Sequence, residues 1–205
     1  MHFLEGEGME ILLATQNKGK VSELQELLAD QNIEVRSLLD FPNWKEVEET
    51  GQTFAENAAL KAWAAMRRTG LLSLADDSGL EVSALDGAPG VFSARFAGEP
   101  KDDQRNIDRL LTLLENVPDE ERGARFRCAL VIVTPNEEEY LVEGTVEGRI
   151  LRQRRGQGGF GYDPVFFVPD LGRTMAELTS VQKNKLSHRA QAFRKAIPIL
   201  EKLKD

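Results

Sequence analysis

The first part of the chain alternates strand-like and helix-like stretches, and that order limits the fold more than any single residue does. Residues 9–14 (MEILLA) are an apolar run of strand length. Residues 18–29 (KGKVSELQELLA) repeat apolar groups at helical spacing, with Val21, Leu24, Leu27 and Leu28 on one face. Residues 33–38 (IEVRSL) read as a second strand. A polar loop over 40–52 leads to Thr53-Phe54-Ala55-Glu56, where a hydroxyl and a carboxylate three residues on match a capping box. That pattern predicts a helix through about Arg68 that buries Phe54, Ala58, Ala62 and Met66. Residues 71–76 follow as a third strand.

The second part changes character. A Gly/Pro-rich loop at 86–90 precedes a helix at about 102–115 with Ile107, Leu110, Leu111 and Leu114 apolar. After a polar turn at 117–123, strands at 124–134 and 139–147 are joined by a hairpin turn at 135–138, and a further strand spans 148–154. The loop GQGGFGYDP leads into a strand, VFFVP, and the chain closes with a helix from about Ser187 to Lys202 that carries Pro198 near its end. Helices between strands first and hairpins later predict a mixed sheet in an α/β or α+β fold.

The chain has 205 residues, enough for a sizeable core in one domain or two closely packed lobes; one domain over 1–205 is the expectation. With 41% apolar and 29% charged residues the composition is that of a soluble globular protein. No apolar run is long enough to cross a membrane, and the start, MHFLEGEGME, lacks both a basic region and an apolar core, which argues against secretion. The single cysteine, Cys128, cannot form an internal disulfide and fits a reducing cytoplasm. It alternates with Phe126, Leu130 and Ile132, the pattern of a buried core thiol. A net charge of -8 repels polyphosphate backbones and argues against nucleic acid as a partner. The densest basic cluster, Arg149, Arg152, Arg154 and Arg155, is either a local anion pocket or a solvated strand face.

Several stretches can carry chemistry. In Leu74-Ala75-Asp76-Asp77-Ser78-Gly79-Leu80 an apolar strand ends in two adjacent carboxylates and a turn. Like charges that close disfavour joint ionisation unless a cation intervenes. Thr15-Gln16-Asn17-Lys18-Gly19-Lys20 lies between a strand and a helix, where free N–H groups and the helix dipole face an incoming anion; a simple helix cap is the alternative. Taken alone the stretch is better read as a simple cap, and it is not a Walker A loop, because Ala14 stands where the first glycine is required and Val21 follows Lys20. Gly156 to Gly161 matches GxGxxG, but a β-type run follows in place of a helix, which rejects a dinucleotide fingerprint. That loop is read either as backbone approaching a ligand, with Phe160 and Tyr162 for stacking, or as a long hairpin turn. Residues 183–189 (KNKLSHR) put cations before and at the start of the last helix, where a bound anion relieves their conflict with the dipole. A surface-exposed basic turn is the alternative, favoured for His188 taken alone. Two histidines and one cysteine leave no structural zinc site, whereas carboxylates, Glu46, Glu48 and Glu49 in one loop and Asp76 and Asp77 on a strand, with a phosphate substrate point to Mg²⁺; for the Glu46–Glu49 group alone a solvated acidic loop is the favoured reading.

Together these stretches resemble the inosine triphosphate pyrophosphatase family, from about Met9 to Phe193. The resemblance rests on TQNKGK, EETGQTFAENAALKA, LADDSGLEV with GAPGVFSARFAG, GGFGYDPVFFVP and KNKLSHRAQAF. It implies Mg²⁺-dependent hydrolysis of nonstandard purine nucleoside triphosphates to the monophosphate and pyrophosphate. It also implies an elongated two-lobed α/β fold (mixed α+β) around a long mixed sheet with a central substrate cleft, and a homodimer. Carried over by position, Thr15, Asn17 and Lys20, in the loop with Gln16, Lys18 and Gly19, hold the triphosphate, assisted by Lys61 and Lys183. Glu48 and Asp77 match the metal-associated carboxylates, with Asp77 also the proton acceptor and Asp76 a second ligand or an orienting group. Ser78 matches a substrate contact, and Phe160, Gly161, Tyr162 and Asp163, with His188 and Arg189, match the base pocket. Gln16 departs from the glycine of many relatives, and residues 1–8 lie outside the family pattern as an extension, alternative start or remnant. Two rivals stay open: a pyrophosphatase for other modified or pyrimidine triphosphates, and a non-catalytic nucleotide-binding module in which the acidic pair only caps a turn.

Overall fold

The computed structural model describes residues 9–29 and 31–204; the stretch 1–8 lies outside the described residues. The predicted alternation is realised as β1 (Met9–Leu13), α1 (Lys18–Leu28), β2 (Ile33–Ser37), α2 (Phe54–Thr69) and β3 (Ser73–Val82). These are followed by α3 (Asp103–Leu113), β4 (Gly123–Val133), β5 (Glu139–Ile150), β6 (Phe166–Val168), β7 (Arg173–Thr174), α4 (Ser180–Leu186) and α5 (His188–Lys202). The seven strands form one sheet in the order β2-β1-β3-β4-β5-β6-β7. β1 pairs in parallel with β2 and β3, whereas β6 pairs antiparallel with β5 and β7. The sheet is therefore mixed and the fold α+β, as the order of elements predicts.

The chain divides into two compact units. The first comprises Met1–Asp77, Ala129–Glu143 and Ala192–Asp205. Its core gathers Leu12, Ala14, Ala58, Ala62, Ala65 and Met66 with Ala75, Val131 and Val133. The alanine-rich face of α2 lets that helix sit close on the strands, and its start is fixed by the capping box of Thr53 and Glu56. The second unit comprises Ser78–Cys128 and Gly144–Gln191, with a core of Leu80, Val82, Ile107, Leu110, Phe126 and Phe166 among others. Cys128 is fully buried, as its alternation predicts.

Three boundaries differ from expectation. β3 does not end at the carboxylates: it continues through Ser78 and Gly79 to Val82, because Leu80 and Val82 alternate into the core and the Leu80 N–H donates to Ser93 Oγ at 2.9 Å. β5 is one strand through residue 150, where two were expected. Gly148 permits this, since a side chain there would meet the Phe167 carbonyl at 2.5 Å, so only glycine lets β6 close on β5. The third difference is a helix, α4, ahead of the expected last one, while α5 keeps the expected span. Thr179 and Gln182 form a capping box that starts α4, and Ser187 separates it from α5, which contains Pro198 without being ended by it.

Candidate functional site

In the first unit the two adjacent acids of β3 each meet their own lysine. Successive strand residues point to opposite faces, so Asp76 and Asp77 do not confront one another. Asp76 Oδ2 accepts from Lys20 Nζ at 2.7 Å, and Asp77 Oδ1 accepts from Lys61 Nζ at 2.9 Å. The cation that the adjacent acids demand is thus supplied by the chain itself. Lys61 also donates to Glu49 Oε1 at 2.9 Å, so one ammonium bridges two carboxylates. Asn57, one turn before Lys61 on α2, donates to Asp77 Oδ2 at 3.3 Å and accepts from the Gly51 N–H at 2.8 Å. A side chain at residue 51 would meet Asn57 Oδ1 at 2.7 Å, which accounts for the glycine in EETGQTF. Burial alone would lower the Lys61 ammonium, but the carboxylates of Asp77, Asp76 and Glu49 together raise it above its usual value. Burial pushes the Asp77 carboxyl up, against the opposing pull of Lys61.

The loop between β1 and α1 is organised as a helix start. Thr15 Oγ1 accepts from the Asn17 N–H at 3.1 Å, and Asn17 Oδ1 accepts from Gly19 and Lys20 at 2.9 and 3.3 Å. The capping reading therefore holds for Asn17. Gln16, Lys18 and Gly19 are exposed around it, and Lys20 carries its ammonium to Asp76.

In the second unit the glycine-rich loop and the start of α5 form a separate cluster. Asp163 Oδ2 accepts from the Phe160 N–H at 3.1 Å and from Lys183 Nζ at 2.5 Å. Burial raises the Asp163 carboxyl although Lys183 opposes it. Phe160 is 48% exposed, with the Lys183 ammonium and the Arg189 guanidinium 5.8 and 5.6 Å from its ring centroid. Gly161 has φ +57°, a turn that favours glycine, and its N–H donates to Asp103 Oδ2 at 2.7 Å. Tyr162 is buried, donates to the Ser93 carbonyl at 2.9 Å, and has its phenol pushed up by burial and by Asp103. His188 is not on an exposed turn: it is buried and stacks on Phe126 at 5.0 Å, because the ring joins the core of this unit. Arg189 is buried beside it. Ser78 is half-buried within β3.

The basic cluster resolves into ion pairs. Arg152 meets Asp119, Arg154 meets Asp108, Arg155 meets Glu177, and Arg149 lies over Phe167, all at exposed positions. These guanidinium groups are a solvated, partnered face. Sequence reasoning missed Asn57 and Asp103, and it did not single out Glu49 within its acidic loop. Asn57 was findable, because Asn57 and Lys61 are four apart on one helix face. Glu49 was not, since Glu48 and Glu49 sit in a loop without periodicity; Glu48 is exposed, and Glu49 is the one that reaches Lys61.

Among the described residues no three His, Cys, Asp or Glu side chains form a group able to hold a metal alone. The donor chemistry nonetheless suits Mg²⁺, which takes one or two carboxylates and completes its shell with phosphate oxygens and water. Glu49 and Asp77, sharing one ammonium, are such a pair.

A family model described as the Ham1 family matches residues 11–199. The dITP/XTP pyrophosphatase of Desulforamulus reducens is 57% identical over 195 residues, covering 95% of this chain and 97% of that one. The dITP/XTP pyrophosphatase of Geobacillus kaustophilus is 56% identical, with 91% of each chain covered. Among solved structures, a HAM1 protein from Coxiella burnetii superposes with a TM-score of 0.88 at 45% identity, over 95% of this chain and 99% of that one. The Staphylococcus aureus Ham1 protein does so with a TM-score of 0.86 at 43% identity, over 94% and 98%.

Proposed function

This chain belongs to the Ham1 family, and from that membership we infer that it hydrolyses nonstandard purine nucleoside triphosphates, dITP and XTP foremost. The products are the nucleoside monophosphate and pyrophosphate, so the enzyme cleanses the nucleotide pool. One geometric observation carries the chemical side of this reading: Lys20 and Lys61, from two separate motifs, converge on the adjacent acids of β3.

Cleavage between the α and β phosphates needs water to attack the α-phosphorus in line while pyrophosphate leaves, so the protein's work is neutralising charge and placing groups. Lys20 and Lys61 offset phosphate charge, and Thr15 and Asn17 shape the loop that receives it. Asp77 accepts the proton of the attacking water. Its Oδ1 is held by Lys61 and its Oδ2 only by the long bond from Asn57, which leaves lone pairs for that proton. A divalent cation, proposed here to be Mg²⁺ on Asp77 with Glu49 or Glu48, supplies further neutralisation of the phosphates.

Purine recognition is assigned to Phe160, Gly161, Tyr162 and Asp163 with His188 and Arg189; Lys183, which the resemblance gives to the triphosphate, is grouped with them here on its ion pair with Asp163, and Ser78 is a further contact. Phe160 offers a face for stacking, and Arg189 and Lys183 are donors suited to the 6-oxo group that distinguishes these purines from adenine. A homodimer, tested by light scattering, and a cytoplasmic location complete the proposal. Among the described residues no helix is long and apolar enough to cross a membrane.

The test is pyrophosphate release from dITP, XTP, ITP, GTP, ATP and dUTP, each with Mg²⁺ and with EDTA. The reading requires dITP and XTP to lead the panel and EDTA to stop the reaction. Preference for dUTP, or binding without release, refutes it.

A further inference from the structure

The glycine-rich loop that ends at Asp163 is tied to a helix that none of the site motifs includes. α3 carries a row of polar side chains that hold one of two loops, most of them by its backbone and Asp108 by a side chain. Asn106 accepts from the Ala97 N–H at 2.7 Å and donates to the Ala94 carbonyl at 3.1 Å. Arg109 donates to the Phe96 carbonyl at 2.6 Å, and Arg105 to the Ala97 carbonyl at 3.2 Å. These bonds fix the segment that follows GAPGVFS. On the other side, Asp103 accepts from the Gly161 N–H at 2.7 Å, and Asp108 accepts from Arg154 at 2.7 Å. Tyr162 closes the circuit by donating to the Ser93 carbonyl.

We propose that Asp103 is a positioning residue for purine recognition: by holding the Gly161 N–H it fixes the Phe160–Gly161 peptide and hence the exposed Phe160 ring between Lys183 and Arg189. The proposal rests on the pyrophosphatase reading given above. Two further observations support it. A side chain at Gly161 would meet nothing within 4 Å, so the glycine is there for its left-handed turn and not for close packing at that atom. The next amide bond is made by Asp163 to Phe160, so Asp103 and Asp163 pin consecutive peptides from two directions. Without the Asp103 bond the Gly161 amide loses its side-chain acceptor and the exposed Phe160 ring is positioned less firmly, and a stacking surface must be ordered before it can hold a base.

The test separates positioning from helix stability. Asp102 caps α3 by accepting from Gln104 and Arg105, and does not touch Gly161. Asp103→Ala is expected to raise KM for dITP about tenfold with kcat within about twofold, the effect of losing one charge-assisted bond. Asp103→Asn, which keeps an acceptor, restores most of it. Asp102→Ala lowers the melting temperature and leaves KM unchanged. Hydrogen exchange of peptides covering 158–163 in the nucleotide-free protein gives an activity-independent readout, expected to quicken about tenfold in Asp103→Ala alone. Unchanged exchange in Asp103→Ala, quicker exchange with unchanged KM, or an equal KM rise in Asp102→Ala overturns the proposal. Absence of hydrolysis by the unmodified enzyme instead overturns the pyrophosphatase reading, and exchange then still decides the role of Asp103.

Discussion

Replacing Gly159 by alanine puts the tightest part of the second-unit cluster under a defined load. Gly159 has φ +77°, and a side chain there would collide with Asp163 Oδ2 and approach Lys183 Nζ to 2.5 Å. The backbone part costs about 1–2 kcal/mol, since an L side chain is strained in the left-handed region. Relieving the collision requires Asp163 to leave Lys183 and the Phe160 N–H, and a hydrogen bond to a charged partner at so enclosed a site contributes about 1.5–3 kcal/mol. The sum is about 2.5–5 kcal/mol for Gly159→Ala. Gly161→Ala is the internal control. Its φ is +57° and its added carbon would touch nothing within 4 Å, so only the backbone part applies. Urea unfolding of both variants measures the difference, expected at about 1.5–3 kcal/mol in favour of Gly161→Ala. Adding Lys183→Met to each variant isolates the contact. With Lys183 gone the ion pair is no longer there to lose, so Gly159→Ala costs less by at least about 1 kcal/mol while Gly161→Ala is unaffected. Equal costs for the two alanines, or strict additivity with Lys183→Met, refutes the reasoning.

Asp77→Asn is expected to lower kcat for dITP by at least about 10²-fold while binding of a non-hydrolysable analogue changes severalfold at most; near-normal turnover excludes Asp77 as the proton acceptor. Tyr162→Phe loses the bond to the Ser93 carbonyl, about 0.5–1.5 kcal/mol in urea unfolding at neutral pH. Its pH dependence has a fixed sign. The folded phenol is raised above 10.0, so above that pH the unfolded chain binds fewer protons than the native one and stability falls as pH rises. The phenylalanine variant lacks that contribution, so its disadvantage shrinks at about pH 11, and a disadvantage that grows there contradicts the assignment. Arg189→Ala and His188→Ala, assayed with ITP and GTP, are expected to narrow the ITP/GTP preference for Arg189 by about tenfold or more. An unchanged ratio in both removes them from selectivity.

Much of this arrangement is legible in the chain because local rules and tertiary structure agree there. The Thr53–Glu56 capping box starts α2 where it predicts, and the alternation around Cys128 buries the thiol. The errors arise where distant groups override local preference. Ser78-Gly79 is turn-like chemistry, yet β3 runs through it because Leu80 and Val82 have a core to enter and Ser93 to meet. α4 escaped although Thr179-x-x-Gln182 states its start, since the helix is too short to show periodicity. That Glu49 reaches Lys61 follows from the path of a loop tied by the Gly51–Asn57 bond, a contact six residues apart that composition does not encode.

The charge count of the first-unit cluster bears on why these acids are adjacent. Glu49, Asp76 and Asp77 bring three carboxylates and Lys20 and Lys61 two ammonium groups, with Lys20 paired to Asp76 and Lys61 to Asp77 and Glu49. With no ligand the group is close to neutral, which is what makes burying Asp76 and Asp77 tolerable, because a buried charge without a partner is costly. On the function proposed above, a triphosphate would compete for the same lysines. Each ammonium it drew away would leave a carboxylate to be compensated, and a divalent cation held by these acids would supply that compensation while neutralising phosphate charge. The acids would then serve two states, placing the lysines before substrate binds and offering oxygen ligands once it has.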